Sequence, residues 1–101
     1  MRINIQPSAL ADLREGFQFY ETKDSGLGSY FLDTLFSDID SLQLYAGIHS
    51  VHFGRFDRLL SKRFPYAAYY EIVGSEIAVR AVLDLRRDPK WIARKLKGLL
   101  S

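Results

Sequence analysis

The second half of the chain carries a pattern of apolar and polar residues that predicts two strands joined by a tight turn. Tyr66–Val73 is aromatic and apolar, and Glu76–Leu85 alternates with a period of two residues. Gly74-Ser75 between them is a two-residue turn sequence of the kind that closes a β-hairpin. We therefore expect Val73 to pair with Glu76, and the remaining pairs to follow outward from the turn.

This register divides the hairpin into two faces. On the opposite side from the core, Tyr69 is expected directly across from Arg80 on an open working face, with Ala67 opposite Val82. A slip by one residue would bury Arg80, so the alternation specifies the register. The predicted core face consists of alternate residues of both strands, namely Tyr66, Ala68, Tyr70, Ile72, Ile77, Val79, Ala81 and Leu83.

Apolar residues at three- and four-residue spacing predict two helices in the first half of the chain. The first covers Ala9–Thr22 with Ser8 as its N-cap, and the second covers Ser29–Tyr45 and ends at Gly47. Each helix has one apolar face, so the two are expected to form an antiparallel hairpin that packs on the core face of the sheet.

Three further elements complete the predicted order. A short strand covers Arg2–Gln6, a strand of mixed pattern covers Arg55–Lys62, and Asp88-Pro89 begins a short C-terminal helix. The order is β-α-α-β-β-β-α, which predicts a single α+β domain over residues 1–101. In it, the helices lie on one side of an antiparallel sheet.

Charge is distributed unevenly along the chain. The net charge is +2, but residues 1–50 hold three basic and seven acidic residues, whereas residues 51–101 hold eleven basic and five acidic residues. A balance of −4 in one half and +6 in the other favours a nucleic acid or an acidic protein segment as partner of the basic half. The sequence has no cysteine, no apolar run long enough for a membrane span and no signal-peptide pattern, so we expect a cytoplasmic protein.

Several short motifs along the chain resemble one known family. They are Ala11-Asp12-Leu13, Phe19-Tyr20-Glu21, Gly26-Leu27-Gly28, Lys62-Arg63-Phe64-Pro65-Tyr66, Tyr69-Tyr70-Glu71, Ala81-Val82-Leu83 and Arg86-Arg87-Asp88-Pro89. In this order and spacing the chain resembles the RelE/ParE superfamily of toxins from bacterial type II toxin–antitoxin modules, some known as plasmid stabilisation proteins. The resemblance implies the toxin fold and a hetero-oligomer with a cognate antitoxin.

Two activities occur on this fold, and the resemblance alone leaves both open. RelE-like members are ribosome-dependent mRNA endonucleases, and ParE-like members inhibit DNA gyrase. Attack by a 2′-hydroxyl on RNA needs a base, an acid and cations, which nuclease members often supply with a His or Tyr beyond the last strand. Here residues 86–91 contain neither. This absence favours the ParE-like interpretation. That interpretation implies growth arrest by binding to gyrase, and it implies no catalytic residue.

Two alternatives to this interpretation remain. In the first, the chain is a ribosome-dependent mRNA endonuclease that uses Arg58, Lys62, Tyr69 and Arg80. In the second, it is an inactive relic that only binds its antitoxin. Under every interpretation the partner-binding candidates are the cations and aromatic residues of the basic half. They are Arg58, Lys62, Tyr69, Arg80, Arg86, Arg87, Trp91 and Arg94.

Structural roles compete with partner binding at several of these positions. Arg80 could form a cation–π pair with Tyr69 across the hairpin, Arg86 or Arg87 could pair with a neighbouring aspartate, and Trp91 could be a packing anchor. No cofactor is expected, because the sequence contains no nucleotide-binding, hydrolase or zinc-protease motif. His49 and His52 lack acidic ligands at matching spacing, so no metal site is predicted.

Overall fold

The computed structural model describes residues 1–47, 51–52 and 55–100, which form a five-stranded sheet with helices on both faces. Its elements are β1 (Arg2–Ile5), α1 (Pro7–Lys23), α2 (Leu27–Asp40), α3 (Leu42–Tyr45), β2 (Val51–His52), β3 (Phe56–Leu60), β4 (Tyr66–Val73), β5 (Glu76–Asp84) and α4 (Pro89–Gly98). The strand order is β1-β5-β4-β3-β2, antiparallel from β2 to β5, with β1 joining β5 in parallel. The predicted α+β class and helical hairpin are confirmed, whereas the sheet is mixed and not wholly antiparallel, because β1 runs parallel to β5.

The first helix begins two residues earlier than predicted. Pro7 occupies its first turn, where a missing N–H costs nothing, and Gln6 is the N-cap. The predicted N-cap Ser8 is wrong, because its hydroxyl instead donates to the carbonyl of Arg80 at 2.6 Å. The helix packs closely on α2 at Gly16, where a Cβ atom would lie 2.5 Å from the ring of Phe31.

The second predicted helix is two helices in the structure. Gly26, in the left-handed region at φ 89°, precedes α2, and its N–H donates to the carboxylate of Glu21. The helix ends at Asp40, and α3 follows as a separate short turn. Gly47, at φ 93°, lies directly after the C-cap of α3, in the helix-ending position that the sequence predicts.

The main core lies between the helical hairpin and one face of the sheet. Tyr66 and Tyr70 are buried in it, as predicted. The ring of Phe64 packs edge-on against the rings of Tyr20 and Phe31, which stack on each other. The buried residues of this cluster are Ala9, Leu13, Tyr20, Phe31, Leu35, Ile39, Leu42, Tyr66, Ala68, Tyr70, Ile77, Val79 and Val82.

A β-bulge in β5 changes the predicted faces of the hairpin. Val73 pairs with Glu76 and Tyr70 with Val79, but Tyr69 pairs with Ala81, so Arg80 is an extra residue without a partner position. Beyond the bulge, each residue of β5 lies on the opposite face of the sheet from the one predicted. The predicted Tyr69–Arg80 and Ala67–Val82 pairs are therefore wrong, and Ala67 pairs with Leu83.

The second face of the sheet is buried under α4, and so the prediction that all helices share one side is wrong. Ile92 and Leu96 of α4 pack on this face. Ala81 and Leu83, predicted in the main core, lie here because of the bulge, and Tyr69, predicted on an open face, is 1% exposed. Ile72, another predicted core residue, lies near the end of β4 and is 42% exposed.

Candidate functional site

Arg80 is held inside the protein by two contacts. Its guanidinium pairs with Glu71 at 2.5 Å and donates to the carbonyl of Leu99, just after α4, at 2.7 Å. Glu71 also pairs with the more exposed Arg55 at 2.6 Å. The predicted cation–π pair of Arg80 with Tyr69 is absent from the ring contacts of the described residues. Arg80 therefore links β5 to the end of α4 and does not face an open working surface.

Tyr69 and Arg58 are neighbours on β4 and β3. They occupy paired positions on adjacent strands. Burial raises the pKa of Tyr69, and the nearby Arg58 guanidinium acts in the opposite direction. Lys62 lies in the turn after β3 and is exposed. With Tyr69 buried and Arg80 paired, the four residues of the alternative nuclease site do not form one open site.

The sequence allowed either Arg86 or Arg87 to pair with a neighbouring aspartate, and in the structure Arg86 forms this ion pair. It contacts both carboxylate oxygens of Asp84, at 3.0 and 2.8 Å, and lies 3.4 Å from the Tyr20 hydroxyl. The pKa of Asp84 is lowered, because these bonds outweigh the opposite effect of its partial burial. Arg86 is thus largely neutralised within the chain, and its charge is less available to a partner.

Trp91 combines packing with cation contacts. One side of the half-buried ring packs against the cluster under α4. The Arg87 guanidinium lies 3.9 Å from its ring centroid and the Lys95 ammonium 5.6 Å from it. This agrees with the packing-anchor interpretation and leaves Arg87 as an exposed cation at the start of α4.

The outer surface of α4 carries a row of three cations, Lys90, Arg94 and Lys97, called the α4 stripe below. All three are exposed, and they lie opposite Ile92 and Leu96, which face the sheet. Within the described part of the chain none of the three forms an ion pair, although Arg2, Arg55, Arg80 and Arg86 each do. Of the predicted partner-binding residues, Arg94 is the one in this row.

Sequence reasoning missed Asp12, which closes part of the edge of β5. Its carboxylate accepts the N–H of Val82 at 2.9 Å, beyond the point where β1 ends. Burial raises the pKa of Asp12 to about 6, and the field of Glu15 acts in the same direction, while the Val82 bond and Lys95 oppose it. The one available signal was the four-residue spacing of Ser8 and Asp12, which places both side chains on one helix face.

Several depressions border α1. Asp12 lines a cavity of about 270 Å³ between α1 and α4, with Glu15, Phe19, Tyr66, Arg87 and Trp91 among its other residues. On the outer side of the helical hairpin, an apolar groove of about 280 Å³ is lined by Leu10, Leu13, Arg14, Phe17, Leu32 and Phe36. This groove therefore lies on the hairpin side of the sheet, and α4 lies on the other side.

Comparison with known proteins gives a match at the level of structure. No family model matches the sequence, and no curated protein matches it. A chain from a chromosomal ParDE TA system of P. aeruginosa matches with a TM-score of 0.72 at 19% identity, over 84% of this chain and 96% of that chain. The chain has the RelE/ParE toxin fold. At this identity the likeness establishes the fold and not the target.

On this RelE/ParE fold, the described residues offer no constellation for a metal. No group of three or more His, Asp or Glu side chains within them is placed to hold an ion. His49 lies outside the described residues, and of His52 the structure describes only its place in β2. No helix among the described residues is long and apolar enough to cross a membrane.

Proposed function

We propose that this chain is the toxin of a type II toxin–antitoxin module and that it arrests growth by binding DNA gyrase. The observation that carries the proposal is the structural likeness to a chain of a ParDE system, which extends over 84% of this chain. A cognate antitoxin is the proposed partner, in a hetero-oligomer that neutralises the toxin. The proposal includes no cofactor and a binding mode of inhibition, with plasmid stabilisation as the wider role.

The chemistry after β5 supports inhibition by binding. Between Arg86 and Trp91 the chain has arginines, a lysine, an aspartate and a proline, and no imidazole or phenol to act as acid or base. The one tyrosine of the alternative site, Tyr69, is buried, and burial raises the pKa of its hydroxyl. An endonuclease built on these residues would need Tyr69 to reach RNA, and α4 covers it.

Expression without antitoxin, followed by parallel assays of DNA supercoiling and mRNA integrity, tests the proposal. We expect growth arrest with inhibited supercoiling by gyrase and intact mRNA, and relief on co-expression of the antitoxin. Tyr69→Phe is the matched variant, because it keeps the buried ring and removes the hydroxyl, and it should remain toxic. Cleavage within translated codons that is lost in Tyr69→Phe would favour the endonuclease, and absence of toxicity would favour the relic.

A further inference from the structure

The α4 stripe is a row of exposed cations that share one face of one helix and form no ion pair with another described residue. Other cations of the basic half, Arg58, Lys62, Arg63, Arg87 and Lys95, also form no ion pair, but they are not in this row. Four other arginines of the described chain have a carboxylate within 2.8 Å, whereas Lys90, Arg94 and Lys97 have none within ion-pair distance. Unpaired, exposed cations on one line produce a positive potential that attracts a polyanion. Because the three cations are fixed on one face of one helix, this positive potential is confined to one surface of the molecule.

The helix that carries the stripe is held firmly at both ends. Asp88 caps its N-terminus by accepting the N–H of Lys90, and Arg80 donates to the carbonyl of Leu99 at the other end. Ile92 and Leu96 bury its inner face. The three cations therefore project from a rigid element, at positions 90, 94 and 97, over about 10 Å of helix at a rise of 1.5 Å per residue.

The chemistry of the stripe distinguishes a nucleic acid from a protein partner. Protein interfaces depend on a few buried apolar anchors. Apart from Pro89 and Gly98, the exposed residues of α4 are all cations, and its large apolar residues are buried or half-buried. Binding to a phosphate backbone needs only cations at suitable spacing. A length of about 10 Å corresponds to about three nucleotides at the 3.4 Å rise of one duplex strand.

The neighbouring aromatic residue distinguishes a duplex from a single strand. Recognition of single-stranded nucleic acid relies on aromatic rings on which bases stack. Trp91, the aromatic residue of α4, packs one side against the sheet and has the Arg87 guanidinium 3.9 Å from its ring centroid. Its ring is thus occupied by the chain itself.

We infer that the α4 stripe, Lys90, Arg94 and Lys97, binds the phosphate backbone of duplex DNA without reading its sequence. Arg87, at the start of the helix, is positioned to extend the contact. This inference goes beyond the proposed function and does not depend on it, because it concerns the purified chain and DNA alone. A toxin without DNA affinity and a DNA-binding chain without toxicity are separate outcomes.

The test is fluorescence anisotropy of a labelled 20-base-pair duplex with the purified chain at several salt concentrations. If the stripe supplies three phosphate contacts, affinity should fall about 40-fold between 50 and 200 mM salt. Lys90→Glu/Arg94→Glu should abolish binding. Arg14→Glu/Lys23→Glu, which changes the net charge equally on α1, should leave binding largely intact. Lys90→Arg/Lys97→Arg should retain the affinity, and thermal melts should show all variants folded.

Three results would overturn the inference. Equal loss of affinity in both charge-reversal pairs would mean that net charge alone governs binding. Tighter binding to a single-stranded RNA of the same length would assign the stripe to another nucleic acid. Equal binding to an acidic peptide of matching charge would assign it to a protein segment.

Discussion

Ser8 and Asp12 occupy the edge of β5 that the short strand β1 leaves open. The last β1 contact is the bond from the Gln6 N–H to the carbonyl of Val79. Beyond it, Ser8 donates to the carbonyl of Arg80 and Asp12 accepts from the N–H of Val82. Side chains of α1 thus take the place of further strand residues, which leaves one partly buried carboxylate in the fold.

The raised pKa of Asp12 makes a prediction about stability and pH. Because its pKa is about 6 in the folded protein and near 4 when unfolded, the unfolded chain loses its proton first as pH rises. The contribution of Asp12 to the free energy of unfolding therefore falls between about pH 4 and 6 and stays low above that range. With allowance for partial exposure, the loss is about 1–2 kcal/mol.

Asp12→Asn should remove this dependence, because its amide oxygen still accepts from Val82 and carries no charge. At pH 7.5 the variant should be more stable than the original chain by about 1–2 kcal/mol, and at pH 4 the two should be similar. Urea unfolding at several pH values is the measurement. Asp12→Ala is the control, since it leaves the Val82 N–H without an acceptor at a cost of about 1–3 kcal/mol. An Asn variant that follows the original pH profile would contradict the assignment.

At the scale of elements, the contacts between α4 and the sheet include a small apolar contact and a long-range polar bond between described residues. Ile92 and Leu96 supply the first, and the bond from Arg80 to the carbonyl of Leu99 supplies the second. The bulge places Arg80 where its side chain reaches both Glu71 and the end of α4. Arg80, which the sequence predicted to contact a partner, thus helps to hold α4 against the sheet.

Arg80→Ala should loosen the C-terminal end of α4 and lower the free energy of unfolding by about 1–3 kcal/mol, because a charge-assisted hydrogen bond is lost. Faster hydrogen exchange of the last α4 amides and altered fluorescence of Trp91, the one tryptophan of the chain, would report the change. Arg55→Ala is the matched control, since Arg55 also pairs with Glu71 but is more exposed. If both variants behave alike, Arg80 does not act through α4.

The elements themselves could be predicted from the sequence to a large extent, and the faces of the hairpin only in part. Gly74-Ser75 and the alternation from Glu76 to Val79 determine the register near the turn, and Asp88-Pro89 determines the start of α4. After Arg80 the residues to Leu83 are all apolar, because helices bury both faces of the sheet there. With no alternation left to read, neither the bulge nor the burial of Tyr69 was predictable.

The sequence predicted which residue types make up the candidate site better than it predicted how they are arranged in space. The basic half and the α4 cations can be read from the sequence directly. Which cations remain unpaired depends on contacts such as Arg86 with Asp84 and Arg80 with Glu71, which arise from tertiary packing. The role of Asp12 likewise depends on where β1 ends beside β5.

At the scale of the molecule, the acidic half and the most basic helix lie on opposite faces of the sheet. The half with a balance of −4 supplies the helical hairpin on one face, and the half with +6 supplies α4 with its cations on the other, although Lys62 and Arg63 lie beside α2. The shortest dimension of the molecule is 21 Å, well beyond the screening length of about 8 Å at physiological ionic strength. An approaching acidic partner therefore experiences mainly the side that it faces.

This separation predicts how the proposed antitoxin associates with the toxin. If its docking segment is acidic and approaches the basic side, added salt should slow association markedly and change dissociation little, because charges steer the encounter and apolar anchors hold the complex. Stopped-flow kinetics at several salt concentrations, with both purified proteins, give the two rates separately. Arg87→Glu/Arg94→Glu should slow association in the same manner as salt.

Lys23→Glu is the control for this experiment, because Lys23 ends α1 on the acidic side of the sheet and should not steer the partner. Arg86 is left unchanged, since its reversal would break the internal pair with Asp84 and disturb the end of β5. An association rate that does not vary with salt, or that responds equally to the Lys23 change, would mean that the antitoxin approaches from another side. The apolar groove between α1 and α2 would then be the first surface to examine, by Leu10→Asp and Phe36→Asp.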